Sequence, residues 1–333
     1  MSKSGSSTRA VTWPRWFSVI WLLGLVAIAL LADILPLPRF PDLLSSDVPP
    51  LSPGHFLGTD LQGRDVLNGL VYGARTALLV SLPTTLLATT LGTMLGVAAG
   101  YWSNTEIRLP LAWVLAIGSA GIIYSLVTVA ASSLLAGWWL ATLCGTGLLA
   151  GVGLMRFRSL QQSIVMPINT LVSTAIVLLA ALPRLLLVVV VASATEPNMV
   201  TLVGLLTLTF WPQSAQLVRA EVRRVRQLPY LEAARSLGLP TSNIIFRHVL
   251  PNSWRVVRTS LPMSLAVLIS LETTLSFLGV GLPPEVSSWG RLLAASRLAP
   301  SSWWLTVFPA SALLLTALAL RQLLPTANIK RKQ

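Results

Sequence analysis

The residues of this sequence that could perform chemistry are few, and the densest group lies between Leu57 and Val66. Asp60, Arg64 and Asp65 stand there within one short segment, and His55 comes just before it. Carboxylates at this spacing could bind a metal ion or exchange protons. Since His55 is the single histidine near them, the set of metal ligands is small. We favour a turn in which these side chains satisfy their own backbone.

A second candidate is Glu272, which lies inside the apolar run from Leu271 to Gly281. A carboxylate in an apolar helix is costly, so it usually faces the interior of a helix bundle or a cavity. It could bind an amine of a substrate, carry protons, or accept hydrogen bonds from neighbouring helices. Arg184, which follows Pro183 in another apolar run, could lie near the core or extend to an interface, and we favour the interface.

Other motifs that are typical of enzymes are missing from the sequence. There is no glycine-rich phosphate loop, so this chain is not expected to bind ATP itself. No nucleophile elbow is present, and the two histidines, His55 and His248, are predicted to lie on opposite sides of a membrane. We therefore expect no catalysis, no cofactor and no metal centre in this chain.

Composition indicates the class of protein. Of the 333 residues, 54% are hydrophobic and only 11% are charged, whereas an average soluble domain carries about 25% charged residues. A polytopic membrane protein is therefore predicted. The net charge of +13 does not indicate nucleic-acid binding, because the arginines stand between apolar runs and not on one basic face. The lone cysteine, Cys144, can form no disulfide within the chain.

The apolar runs predict an all-α membrane protein with about eight spans. A basic N-terminus and a first span at 1–35 precede an extracytoplasmic segment at 36–74, whose prolines argue against regular structure. The membrane domain then occupies 75–333. Its spans are predicted near 76–101, 111–135, 138–154, 166–194, 199–218, 259–280 and 303–320. Arginines at 219–258 and the basic tail place that loop and both termini in the cytoplasm.

The stretch from Tyr230 to Asn252 predicts two short helices joined by a turn. Gly238 stands where a residue of left-handed conformation would end the first helix. Thr241 or Ser242 would begin the second helix, and the segment from Leu250 to Asn252, with its proline, would end it. Such a basic elbow, with an apolar stripe along its helices, is suited to docking against another protein.

This elbow resembles the EAA motif of the permease subunits of ABC importers. Its flanks are similar to the dipeptide, oligopeptide and nickel branch of that family, and within it to the second, C-type permease. In that family the loop inserts into a groove of a cytoplasmic ATPase, so the resemblance implies a coupling role. The matching residues are Tyr230, Glu232, Ala233, Ala234, Gly238, Arg247, His248, Leu250 and Pro251.

Three further stretches resemble the same branch. The extracytoplasmic motif before its second helix is matched by Gly58, Thr59, Asp60, Gly63, Arg64 and Asp65. Pro183 matches its third core helix, and Glu272 with Ser276 matches its fifth, so these three are candidates for gating or for lining the pathway. For Glu272 the match favours a structural or gating role over substrate selection. The sequence departs from the family by an insertion at about 103–160, predicted as a hairpin of two helices, with a single re-entrant hairpin as the alternative. Near its end, Arg321 and the residues after it replace the usual Leu-Asp-Pro-Arg-like ending.

The resemblance implies the type I importer fold, with six core helices, at the bacterial inner membrane. Implied partners are a second permease, two cytoplasmic ATPases that bind ATP and magnesium, and an extracytoplasmic solute-binding protein. The chain would translocate peptides or related small solutes by alternating access. Other cargo stays open, such as nickel, opines or antimicrobial peptides. So does another class, a polytopic membrane enzyme or assembly factor, for which Glu272 and Arg184 would be the polar residues.

Overall fold

The computed structural model describes residues 15–36, 41–104, 108–110 and 163–323, and they are mostly helical. Cys144, most of the predicted inserted hairpin and both chain ends lie outside the described residues. Two compact units divide the chain: residues 1–97 with 176–333, and residues 98–175.

The described residues contain nine helices. They are α1 (Arg15–Leu31), α2 (Val66–Tyr101), α3 (Ile168–Ala181), α4 (Arg184–Ser193), α5 (Met199–Arg226), α6 (Pro229–Ser236), α7 (Thr241–Phe277), α8 (Trp289–Ala295) and α9 (Trp304–Gln322). A 3₁₀ turn covers Leu43–Ser45. Strand β1 (Arg108–Pro110) pairs antiparallel with β2 (Ser163–Val165), so that Arg108 faces Val165.

The helices confirm the all-α membrane class. Within the described residues α2, α7 and α9 are long and apolar enough to cross a membrane, and α3 with α4 would make a fourth span if this pair, bent by 81°, is one broken span. The apolar helix α1 is shorter. The count of eight spans stays a prediction, because two of the predicted spans lie outside the described residues.

Two predicted spans differ from the observed helices. The predicted span at 166–194 is interrupted, because Pro183 lacks an N–H and restricts the residue before it; α3 ends at Ala181 and α4 begins at Arg184. Helix α2 begins at Val66 rather than near Thr76. Asp65 supports the earlier start, since its carboxylate accepts a 3.0 Å hydrogen bond from the Asn68 N–H in the first turn.

The core of the first unit joins helices that are distant in sequence. Its largest cluster contains Val80 and Ala88 of α2, Val188 of α4, Phe210 of α5 and Leu275 of α7, all buried. A second cluster brings α1, α2, α7, α8 and α9 together around buried Trp289. Helix α7 contributes to both clusters, so it lies at the centre of this unit.

Candidate functional site

The predicted coupling elbow begins with α6, a short amphipathic helix. Pro229 occupies its first turn, where the missing N–H costs nothing. Leu231 and Ala234 are buried, three residues apart on one face. Glu232 and Ala233 lie on the exposed face of the same helix. The helix is therefore anchored by its apolar side and presents a carboxylate to the surroundings.

Gly238 ends α6 in a left-handed conformation, with a φ of 74°. The Leu239 N–H donates to the Ala234 carbonyl over 3.3 Å, and the Gly238 N–H donates to the Arg235 carbonyl over 2.9 Å. These two bonds define a Schellman motif, which satisfies carbonyl groups at the end of a helix. The predicted C-cap is confirmed.

The predicted end of the second elbow helix is wrong. Residues Thr241–Phe277 form one continuous helix, α7, which passes through Leu250 and Pro251. It begins after Pro240, and neither Thr241 nor Ser242 caps it with a side chain. The proline is accommodated because Ile245–Val249 is a π-helical segment, in which the Leu250 N–H donates to the carbonyl five residues earlier.

Asn252 closes the π-helical segment and also connects the two helices of the elbow. Its side-chain amide donates to the His248 carbonyl over 2.7 Å and to the Tyr230 hydroxyl over 3.0 Å. The rings of Tyr230 and His248 lie 6.1 Å apart. Tyr230 and His248, which match the permease branch, are thus joined with the flanking Asn252 in one contact between α6 and α7.

The exposed surface of the elbow is apolar and basic. Leu237 is 80% exposed and Phe246 70% exposed, and Arg247 and Pro251 are exposed beside them. Exposed large apolar side chains in a group mark an interaction surface more often than a solvent-facing one. We refer to Leu237, Leu239, Phe246 and the exposed face of α6 as the elbow surface.

The extracytoplasmic motif forms the self-satisfied turn that we favoured. One oxygen of the Asp60 carboxylate accepts hydrogen bonds from the N–H groups of Gln62 and Arg64, over 2.8 and 2.9 Å. The Thr59 hydroxyl donates to the Ser45 carbonyl over 2.6 Å. Gly63 has a φ of 71°, and a Cβ there would collide with the Asp42 carbonyl. Only glycine fits that position.

His55 and Asp65 form the one close polar pair that could suggest catalysis in this motif. The His55 Nδ1 and an Asp65 oxygen lie 2.8 Å apart, and both residues are buried. The other Asp65 oxygen caps α2. No group of three or more potential metal-ligating side chains occurs in the described parts of the chain. Arg64 is exposed and borders a cavity of about 630 Å³ that Glu285 and Arg291 also border.

Glu272 is completely buried in α7 near the opposite end from the elbow. Ser276, one turn later, donates its hydroxyl to the carboxylate over 2.9 Å. Helix α8 crosses at the same level, where a Cβ on Gly290 would collide with the Thr273 carbonyl. Contact this close requires glycine. Glu272 and Ser276 therefore lie at a tight crossing of two helices, which suits the structural role that we favoured.

The next residue of α8, Arg291, organises the loop between α7 and α8. Its guanidinium donates to the backbone carbonyls of Leu282 and Val286, each over 2.8 Å, and to that of Pro284. Burial, followed by repulsion from Arg64, lowers the pKa of Arg291 from its usual value. The three carbonyl contacts offset that cost by satisfying the donors.

Pro183 marks the break between α3 and α4, and Arg184 follows it. The Arg184 guanidinium donates to the Gln213 side chain over 3.2 Å and lies 5.2 Å from the centre of the Phe210 ring. It lies against the middle of α5 and is exposed, so its position at an interface stays a prediction. Cation–π attraction and the hydrogen bond explain this placement.

Sequence reasoning missed several long-range contacts of these motifs. The Trp304 indole donates to the Thr59 carbonyl over 3.0 Å, and the Trp289 indole donates to the Leu70 carbonyl over 3.0 Å. The Thr76 hydroxyl donates to the Ser287 carbonyl over 2.8 Å. The tryptophans were visible in the sequence, but their partners lie more than two hundred residues away.

Comparison with known proteins places the chain among membrane transport components. A family model described as the inner membrane component of binding-protein-dependent transport systems matches residues 144–327, more than half of the chain. The chain belongs to this family. The resemblance to the permeases of ABC importers, which the elbow predicted, is thereby confirmed, and so is a role as a transport permease subunit.

Individual relatives are similar over most of the chain. A protein of Brucella suis biovar 1, provisionally named a peptide transport system permease protein, is 28% identical over 267 residues, which are 80% of this chain and 69% of that protein. The peptidoglycan transport system permease protein YejE of Agrobacterium fabrum is 29% identical, over 75% of this chain and 50% of its own. The inner membrane ABC transporter permease protein YejE of Escherichia coli is 28% identical, over 81% and 61%.

Proposed function

We propose that this chain is the second permease of an ABC importer that moves peptides across the inner membrane by alternating access. The names of the similar proteins support peptides as cargo, and no feature of the described residues favours nickel or an enzymatic function over them. ATP is hydrolysed by partner subunits in this proposal, and an extracytoplasmic binding protein delivers the solute.

The observation that carries the proposal is the geometry of the elbow. The elbow surface presents Glu232, Leu237 and Phe246 outward, while Gly238 and the Tyr230–Asn252 contact fix α6 against α7. A rigid, exposed, apolar and basic protrusion fits insertion into a groove of an ATPase. Coupling is the role that we assign to Tyr230, Glu232, Ala233, Ala234, Gly238, Arg247, His248, Leu250 and Pro251.

Helix α7 supplies the connection from the elbow to the outer face. It begins at the elbow and ends beside Glu272, Ser276 and the α7–α8 crossing. A displacement of the elbow surface by the ATPase is therefore passed to the outer loop through one helix. We assign gating to Glu272 and Ser276 for this reason, and to Pro183 because it interrupts the helix between α3 and α4. We assign a structural role to the extracytoplasmic motif.

The pairing of β1 with β2 supports the proposed topology. The strands flank the stretch predicted as an inserted hairpin and hydrogen-bond to each other. Because the two strands pair, they must lie on the same side of the membrane. An even number of inserted spans between them would return the chain to that side. The elbow and both termini are then cytoplasmic.

The proposal is tested by purifying the complex through a tag at the C-terminus of this chain and identifying the proteins that accompany it by mass spectrometry. Two ATPases with phosphate-loop motifs and a second membrane chain with an EAA motif are expected. The purified complex, reconstituted in liposomes with its binding protein, should take up tripeptides only with ATP. Recovery of this chain alone, in detergents that preserve such complexes, would refute the proposal.

A further inference from the structure

Arg184 is a charged residue on an otherwise apolar helix. Its guanidinium uses one donor for the Gln213 side chain and lies over the Phe210 ring, yet the residue remains exposed. None of the ion pairs among the described residues includes it. The positive charge of Arg184 is therefore held in place by α5 without being neutralised there.

The depth of Arg184 follows from the lengths of the helices. Helix α4 runs from Arg184 to Ser193 and leads into a polar turn that contains Glu196 and Asn198. Ten helical residues cover about 15 Å, half of a hydrocarbon core that is roughly 30 Å thick. With α3 and α4 taken as one broken span, Arg184 lies near the middle of the membrane, at the 81° break between them.

A guanidinium at that depth cannot face lipid cheaply. The cost of a charge at the centre of a bilayer is at least about 2.5 kcal/mol, and such residues usually face a water-filled cavity. Helix α4 has a separate apolar face, on which Leu186 and Val190 are 59% and 65% exposed. Arg184 lies roughly 200° around the helix from Leu186. The exposed apolar face of Leu186 and Val190 is thus separate from the side of α4 on which Arg184 lies, next to buried Val188 and Ala192.

We propose that Arg184 lines the solute pathway and binds a carboxylate of the solute as it passes the middle of the membrane. For a peptide, the group that every cargo molecule shares is the C-terminal carboxylate, which the remaining N–H donors of a guanidinium match in geometry. Gln213 and Phe210 hold the guanidinium in place and are positioning residues. The assignment rests on the proposed peptide cargo, and it adds a residue that selects for a free carboxylate.

The first test compares trialanine with trialanine amide as solutes for the reconstituted complex. Arg184→Gln is expected to lower uptake of trialanine about tenfold relative to the unmodified complex, the loss that a charge-assisted hydrogen bond implies. Uptake of the amide, measured against the unmodified complex with the same solute, is expected to stay within about twofold. Equal losses for both solutes, or no loss for either, would overturn the assignment.

Arg297→Gln is the matched control, because the Arg297 guanidinium also lies over a phenylalanine ring, that of Phe277, at 3.7 Å. It removes the same charge and the same kind of stacking elsewhere in the fold. The ratio of trialanine to amide uptake is expected to be unchanged by this variant. A ratio that falls as far as in Arg184→Gln would show a general effect of lost arginines and not recognition.

A labelling experiment separates this assignment from the proposed cargo. In a chain with Cys144→Ser, Arg184→Cys should react with an anionic, water-soluble methanethiosulfonate, while Leu186→Cys on the apolar face should not. No reaction at position 184 overturns the pathway position, whatever the complex transports. If position 184 reacts but the unmodified complex takes up neither solute with ATP, the peptide cargo is refuted and the pathway position is retained.

Discussion

The hydroxyl of Tyr230 accepts a hydrogen bond of 3.0 Å from the side-chain amide of Asn252, and this bond joins the two helices of the elbow. Asn252 also satisfies the His248 carbonyl in the π-helical segment. The same side chain therefore stabilises the start of α7 and the attachment of α6. The contact holds α6 against α7.

Removing the Tyr230 hydroxyl should weaken coupling. Tyr230→Phe keeps the ring against His248 but removes the acceptor for Asn252, a bond worth about 0.5–1.5 kcal/mol. The solute taken up per ATP hydrolysed should fall by about two- to tenfold. The ratio is measured in proteoliposomes. Tyr72→Phe, which removes a hydroxyl bonded to Asp33 near the other end of the fold, should leave it unchanged; equal effects of both variants would contradict the coupling role.

Gly238 should tolerate substitutions according to their cost in left-handed conformation. No atom lies within 4 Å of a Cβ at this position, so the penalty is conformational and amounts to about 1–2 kcal/mol. Gly238→Asp should uncouple ATP hydrolysis from transport while the chain still enters the membrane. Gly238→Asn should be milder, because asparagine adopts this conformation more readily. Normal transport by Gly238→Asp would argue against the elbow as the coupling site.

Reversing the charge on the exposed face of α6 should block docking of the ATPase. Glu232→Arg changes a side chain that is exposed and therefore free to meet a partner, and it should abolish recovery of the ATPase subunits with the tagged chain. Glu196→Arg makes the same change in the polar turn before α5, away from the elbow. If Glu232→Arg retains the ATPases as well as the control does, Glu232 does not contact them.

Neutralising Glu272 should slow transport of every solute alike. Glu272→Gln keeps an oxygen for the Ser276 hydroxyl but introduces two N–H donors into a completely buried site, where unsatisfied donors cost about 1–3 kcal/mol each. Uptake of several peptides should fall by a similar factor. Glu285→Gln is the control, because Glu285 is exposed, and it should leave uptake unchanged. A change of preference among peptides, without a general loss, would show that Glu272 selects substrates.

The α7–α8 crossing should be sensitive to added volume. Gly290→Ala places a methyl group against the Thr273 carbonyl, and overfilled contacts cost about 1–3 kcal/mol. The melting temperature of the purified complex should fall. Gly204→Ala is the control, because no atom lies within 4 Å of a Cβ there. Equal melting temperatures for the two variants would mean that α8 moves aside freely.

Much of the elbow was predictable because its determinants are local. The spacing of Leu231 and Ala234, and Gly238 after them, specify a short helix with a left-handed cap. The end predicted at Pro251 failed for a physical reason. A proline breaks a regular α-helix, but here the helix widens into a π-helical segment and continues. Whether a helix breaks or adjusts depends on tertiary contacts, such as that of Asn252 with Tyr230.

The outer motif shows the same division between local and distant determinants. Asp60, Gly63 and Asp65 predicted a turn, and their bonds lie within a few residues of one another. The hydrogen bond from the Trp304 indole to the Thr59 carbonyl of that turn could not be predicted, since the sequence does not indicate which carbonyl an indole will contact. Arg184 belongs with the unpredictable cases, because its position depends on Phe210 and Gln213 of another helix.

The pairing of β1 with β2 brings together the two ends of the stretch that the sequence predicts as an insertion. Residues facing each other in an antiparallel pair lie about 5 Å apart, so the chain returns to nearly the same point after the stretch between Pro110 and Ser163. A stretch whose ends lie this close together can be replaced by a tight turn or by a longer segment without changing the register of the two strands. Differences in length among relatives are therefore expected to concentrate between the two strands and not in the helices on either side.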